Sequence, residues 1–148
     1  MSNGFRYRRR VQFADTDLAG IAHFSAFFRF IEEAEHALWR AAGLSIGAVE
    51  KTGGWPRVAV AFDFKQPLRF EEEFDVTVRI AETTRRSIRY AFSITRENDV
   101  IGSGTMTAVC TTKEDGPMRA IEIPADLVAR LRAAAGQDGE RDTGKSEG

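Results

Sequence analysis

Phe74, Val76, Val78 and Ile80 fall on alternate residues, and after a polar break at Arg85-Arg86-Ser87 so do Ile88, Tyr90, Phe92 and Ile94. Two such runs joined by a short turn form an antiparallel hairpin with one apolar face, because a parallel crossover needs a dozen or more connecting residues. That face demands a cover. Upstream, Phe24, Phe27, Phe28, Ile31, Ala34, Glu35, Leu38 and Ala42 recur at spacings of three and four, with Arg29, Glu32, Glu33, His36 and Arg40 on other faces. With Ser25 as N-cap and Gly43 as the stop, this predicts a helix of about 18 residues, ~27 Å long.

Three further runs alternate. Phe5 to Phe13 does so except at Arg9, Val58 to Phe64 does so up to a break at Pro67, and a Thr-rich run extends from about Val100 to Thr112 after the Glu97-Asn98-Asp99 turn. Short connections predict an α+β protein, a mostly antiparallel five-stranded sheet packed on one buried helix. Gly102 and Gly104 inside the last strand point to a bulge or close packing. Pro124 opens a short final helix, Ala125 to Ala135, with Leu127, Val128 and Leu131 facing inward. Gly136 to Gly148 carries no apolar side chain, which predicts a disordered polar tail after a single domain over 1–135.

Charge excludes some partners. Lys and Arg number 21 against 22 Asp and Glu, a net charge of -1 that gives no footprint for nucleic acid. The arginines of the first strand then read as a solvated strand face. A single cysteine, Cys110, excludes an internal disulfide and a Cys-cluster metal site, and two histidines, His23 and His36, argue against a His-rich zinc centre. No apolar stretch approaches the ~18 residues of a membrane span, and no apolar segment follows the basic start as in a secretory signal. The expected setting is cytoplasmic.

Asp15 and Asp17 lie in a Gly-containing loop just before the long helix. A carboxylate there is beside the unpaired N–H groups of a helix start, which can hold a developing oxyanion while the acid attacks or activates water. Turn formation or helix capping is the plainer use of the same residues.

The string Val11-Gln-Phe-Ala-Asp-Thr-Asp-Leu-Ala-Gly-Ile-Ala-His-Phe-Ser-Ala-Phe-Phe-Arg-Phe-Ile-Glu-Glu-Ala34 resembles the hotdog-fold 4-hydroxybenzoyl-CoA thioesterase family, and Asp15-Thr-Asp17-x-Ala-Gly20-Ile matches its opening signature. Arg119-Ala-Ile-Glu-Ile-Pro-Ala-Asp126 is similar to the same family's closing segment, so the likeness runs from about Val11 to Leu131. It implies a hotdog fold, with the sheet wrapped around the central helix and protomers paired edge to edge as a homodimer or tetramer. The implied activity is hydrolysis of an acyl-CoA, coenzyme A being part of the substrate and no cofactor needed. Asp17 maps onto the catalytic carboxylate, and the oxyanion donors map onto amides near His23 and Phe24.

The remaining site candidates follow from the same likeness. His23, where an aromatic residue is expected, is read either as orienting water or Asp17, or as filling the helix entrance. Glu32 stands where some members contact a substrate hydroxyl, with an ion pair as the competing role. Gly20 belongs to the signature loop, and Arg85, Arg86 and Ser87 form a turn suited to the phosphates of CoA, against a solvated turn with no ligand. From the residues alone, Phe27 reads as core ahead of acyl-pocket wall, and the loop aromatic Trp55 is a weaker pocket candidate. Cys110 reads as core. A non-catalytic acyl-thioester binding domain and a hotdog dehydratase are the alternatives.

Overall fold

A computed structural model describes residues 4–47, 53–112 and 116–137. The elements are β1 (Phe5–Arg10), α1 (Ala26–Ala41), β2 (Arg57–Phe64), β3 (Glu73–Thr83), β4 (Ser87–Arg96), β5 (Asp99–Val109) and α2 (Leu127–Ala134). All strand pairs are antiparallel, and the sheet order is β1-β3-β4-β5-β2. This is the hotdog architecture: α1 crosses the apolar face of the sheet.

The alternation of β3 and β4 sets their faces as expected, with Phe74, Val76, Val78, Ile80, Ile88, Tyr90, Phe92 and Ile94 all buried. The helix contribution differs from the predicted stripe. Ala26, Phe27, Phe30, Ile31, Ala34, Glu35, Leu38 and Trp39 face inward, and the Phe30 ring lies 4.8 Å from that of Phe74. Phe24 precedes the helix and Phe28 turns outward. Gly43 ends the helix region at φ +78°, a conformation that disfavours other residues. Ser25 does not cap with its side chain, because its Oγ is held 2.8 Å from His23 Nδ1.

Two strands depart from the sequence reading. β1 stops at Arg10, and Phe13–Asp15 is a short 3-10 turn that leaves Phe13 exposed. The cause is local: the Asp15 side chain accepts the Gln12 N–H at 2.8 Å and the Asp15 N–H donates to the Gln12 carbonyl at 2.9 Å. β2 is an edge strand paired only with β5, so its alternation does not bury it; Val58, Val60 and Phe64 are exposed. Gly102 and Gly104 answer to close packing, since a Cβ at either would come within 2.6 Å of the Phe62 ring.

The tail boundary also moves. Gln137 is buried and clasps the main chain of Ile80, its Oε1 accepting the N–H at 2.8 Å and its Nε2 donating to the carbonyl at 3.0 Å. It supplies the bonds that β1 cannot, because β1 pairing begins at Phe5↔Val78. Residues 138–148 of the expected tail lie outside the described residues.

Removing this clasp strands two buried main-chain groups at once. Gln137→Ala is expected to lower stability by about 1–3 kcal/mol in urea unfolding, with the native sheet retained by circular dichroism.

Candidate active site

The loop from β1 to α1 carries both aspartates, and the structure gives them opposite surroundings. Asp15 is buried at 3% exposure. Its carboxylate receives Arg9 Nη1 on one oxygen and Arg29 Nη2, at 2.7 Å, on the other. Arg9 is the residue that broke the alternation of β1. It points inward with its side chain 9% exposed, lies 4.7 Å over the Phe30 ring, and forks onto Glu33 at 3.0 and 3.1 Å. Burial alone would raise the Asp15 carboxyl, but the hydrogen bonds from Arg9, the Gln12 N–H and Arg29 outweigh it and hold it below the usual carboxylate range.

Asp17 is exposed. It opens a tight turn in which the Gly20 N–H donates to the Asp17 carbonyl at 3.0 Å and the Asp17 N–H to the Ile21 carbonyl at 3.1 Å. Gly20 sits at φ +78° with open space around it, so the backbone conformation is what calls for glycine there. One Asp17 oxygen, Oδ1, accepts the Ala19 N–H at 2.8 Å. Among the described residues, Oδ2 takes no hydrogen bond.

At the helix entrance the His23 N–H donates to the Asp15 carbonyl at 2.8 Å. That N–H is therefore already engaged within the loop. The Phe24 N–H has no acceptor among the described residues. The Ser25 N–H approaches His23 Nδ1 at 3.2 Å, an acceptor role that assigns the ring proton of neutral His23 to Nε2. The His23 and Phe24 rings lie 4.6 Å apart, tilted by 36°.

These groups share one cleft of about 470 Å³: Asp17, His23 and Phe24 form one wall, and Phe64, Lys65 and Gln66, from the end of β2, the other. Phe24 is 60% exposed and meets Phe64 edge-on at 6.5 Å. Lys65 and Gln66 escaped the sequence reading, in which only Pro67 marked the strand end. The tie is made by the main chain, since the Ala22 N–H donates to the Leu68 carbonyl at 2.7 Å.

The other expected site residues do not line this cleft. Phe27 is core, packed on Phe30, Phe62 and Phe64. Glu32 accepts Arg57 Nη2 at 3.2 Å and borders a separate 180 Å³ pocket with Phe28, Val60 and Met106. Trp55 is buried beside Trp39 at 5.3 Å, at the Arg57 end of β2. Arg85, Arg86 and Ser87 lie at that same end of the sheet, the turn closed by a 2.7 Å contact between Thr84 Oγ1 and Ser87 Oγ. The length of β4, about 30 Å for its strand rise, separates this turn from the Asp17 end.

The chain matches the profile described as "Thioesterase-like superfamily" over residues 11–131. It belongs to that superfamily. Among curated relatives, the Aquifex aeolicus (strain VF5) protein named "Putative esterase" is 30% identical over 129 residues, covering 86% of this chain and 98% of its own. The 1,4-dihydroxy-2-naphthoyl-CoA hydrolase of Picosynechococcus sp. is 27% identical over 96 residues, 64% of this chain and 66% of that protein. The solved 4-hydroxybenzoyl CoA thioesterase of Pseudomonas sp. strain CBS-3 superposes with a TM-score of 0.77 at 23% identity, covering 87% of this chain and 99% of the other, which establishes the shared hotdog fold. Thioester hydrolysis is the reaction class of this thioesterase-like chain. No helix among the described residues is long and apolar enough to cross a membrane.

Asp15 links the site to pH. Its folded carboxyl titrates lower than in the unfolded chain, so its contribution is full above the ordinary carboxylate range and disappears as pH falls through the folded value. Asp15→Asn is expected to cost about 3 kcal/mol at pH 7, and thermal unfolding scans should show the gap from wild type closing as pH falls below the ordinary carboxylate range.

Proposed function

We propose that this thioesterase-like chain hydrolyses an acyl-CoA to the free acid and CoA, with Asp17 as the catalytic carboxylate and the Phe24 N–H as oxyanion donor. The observation that supports this most is their common cleft: an exposed carboxylate with one uncommitted oxygen and an unpaired helix-entrance amide. Asp17 either attacks the thioester carbonyl carbon or takes a proton from the water that does. Both routes put negative charge on the carbonyl oxygen. In the first the C–S bond breaks to leave a mixed anhydride on Asp17, which water hydrolyses to the free acid while a water proton goes to the thiolate. In the second the water oxygen adds directly, the C–S bond breaks, and Asp17 passes the water proton to the thiolate. A main-chain N–H aimed at such an oxygen is worth about 10²–10³ in rate. The thiolate leaves readily, so no further acid is required, and no metal or redox cofactor enters. His23 and the aromatic walls of Phe24 and Phe64 suit a flat acyl group, the class in the cyanobacterial relative's name.

The edge strand supports a homodimer, which can pair again into a tetramer. β2 presents unpaired main-chain groups together with exposed Val58, Val60 and Phe64. An edge of that kind seeks a partner. Two copies joined through β2 about an axis perpendicular to the sheet run antiparallel, with both helices on one face. The Arg57 end of one β2 then meets the Phe64 end of the other. This brings the partner's Trp55, Glu32 and Arg57 toward the Asp17 cleft, and the partner's Arg85–Ser87 turn to the same end of the joint sheet, where its guanidinium groups can meet CoA phosphates. Cys110 is buried, with its thiol pushed up to about 11 by desolvation, so it is unsuited to be a nucleophile; a reducing, cytoplasmic setting fits a chain with no second cysteine.

Asp17→Asn is expected to lower kcat by about 10²–10⁴ across benzoyl, hydroxybenzoyl, acetyl and hexanoyl thioesters while leaving the unfolding transition near that of wild type. A folded variant with normal release of free CoA rejects the mechanism, and a wild type that binds acyl-CoA without releasing acid favours a binding domain. Val60→Lys places a charge on the open edge. By analytical ultracentrifugation it is expected to shift the dimer toward monomer, with kcat/KM falling at least about tenfold.

A further inference from the structure

The mechanism above uses Asp17 and the Phe24 amide and leaves unexplained why a buried acid, two arginines and Glu33 are knotted beneath them. Burying charge is costly unless every partner is in place. Here the partners come from three elements. Arg9 reaches in from β1, Arg29 from the first turn of α1, and the Gln12 N–H from the loop itself, all onto the Asp15 carboxylate. Arg9 is fixed in turn by its fork onto Glu33, by its 2.8 Å bond to the Arg10 carbonyl and by the Phe30 ring. Tyr7 OH donates to the same Glu33 at 3.1 Å. Asp15 is thus pinned to both the sheet and the helix.

The consequence passes along the main chain. The carbonyl of Asp15 takes the His23 N–H, and Asp17 stands two residues from the pinned side chain. The amide that follows His23 is that of Phe24, which lines the cleft and has no acceptor among the described residues. We propose that Asp15 is a positioning residue for hydrolysis: ion-paired to Arg9 and Arg29, it fixes the loop so that the His23 N–H is consumed and the Phe24 N–H is presented beside Asp17. This rests on the assignment of Asp17 and the Phe24 amide to catalysis. The charged state of the knot agrees with it, since the same hydrogen bonds keep Asp15 ionised.

A group that aligns an oxyanion donor acts on the transition state more than on ground-state binding, so its loss appears in kcat. Misplacement by about 1 Å costs on the order of 10² in rate. Four proteins test the proposal: wild type, Asp15→Asn, Arg29→Gln and Asp17→Asn. Each is assayed for hydrolysis of benzoyl-CoA or whichever panel thioester wild type turns over fastest, and for amide hydrogen exchange at His23 and Phe24 by NMR. The expected result for Asp15→Asn is a fall in kcat of about 10- to 100-fold with KM within about twofold, together with exchange at the His23 amide at least about tenfold faster. Arg29 is half exposed, so Arg29→Gln is expected to keep the fold and show the same pattern in milder form, with kcat reduced about 3- to 10-fold.

A folded Asp15→Asn with wild-type kcat, or with unchanged His23 exchange, overturns the proposal. If Asp15→Asn does not fold, Arg29→Gln decides, and an unchanged kcat there overturns it equally. Asp17→Asn separates the two levels: inactivity of that variant alongside a normal Asp15→Asn rejects only the positioning role. Full turnover by Asp17→Asn rejects the catalytic assignment on which that role rests.

Discussion

One apolar sheet face with one helix to cover it governs this molecule. A helix of 16 residues reaches about 24 Å, and it buries the inward residues of β3 and β4 while β2, at the far edge, keeps Val58, Val60 and Phe64 exposed. Two things follow. The sheet is left with an open edge that carries apolar side chains, and the cover has to begin somewhere at the rim of the core. Where it begins, the first amides of α1 stand at the border between water and the apolar interior, the place where an N–H can be both accessible and electrostatically effective.

The parts of this arrangement that were readable from the chain are those fixed by period alone. In β3 and β4 an inward face for Phe74 implies an inward face for Val76, and the register Val78↔Phe92 keeps both strands' apolar residues together. Period does not say whether a face has anything to cover it. β2 alternates as cleanly as β4, yet its exposure is decided by sheet order, which only tertiary pairing reveals. Helical spacing likewise groups Phe24 with Phe27 and Ile31, although the chain becomes helical only at Ala26. The Ser25 hydroxyl that makes a good cap in isolation has a stronger local competitor in His23 Nδ1.

At the site, the motif identified Asp17, His23 and Phe24, and the cleft brings them together. The opposite surroundings of Asp15 and Asp17 were hidden, because both sit in the same loop and either can cap, turn or react. Arg9 was the available signal: a lone arginine in register with Phe5 and Tyr7 must either face the core with a partner or break the strand. Lys65 and Gln66 gave no local sign, being far along the chain. Trp55 and the Arg85–Ser87 turn carry plausible chemistry, but a sequence does not state at which end of a strand a residue lies. Within one protomer they lie at the opposite end of the sheet from Asp17.

The two deeply buried acids show how the balance between desolvation and hydrogen-bond donors decides the state of such a group. Glu35, fully buried on α1, is pushed up by desolvation even though Arg57 donates to both of its oxygens. Asp15 moves the other way, because the hydrogen bonds from two arginines and a main-chain N–H outweigh its desolvation. The Glu35 pair joins the helix to the start of β2 and shares Arg57 with exposed Glu32, so a proton gained by Glu35 leaves Arg57 a second carboxylate. At the Asp15 knot a proton likewise leaves Arg9 with Glu33, but Arg29, whose ion pair among the described residues is with Asp15, keeps no carboxylate of its own. The acid on which Arg29 depends thus lies under the loop that carries Asp17, and the one whose arginine is shared with an exposed glutamate lies at the start of the edge strand.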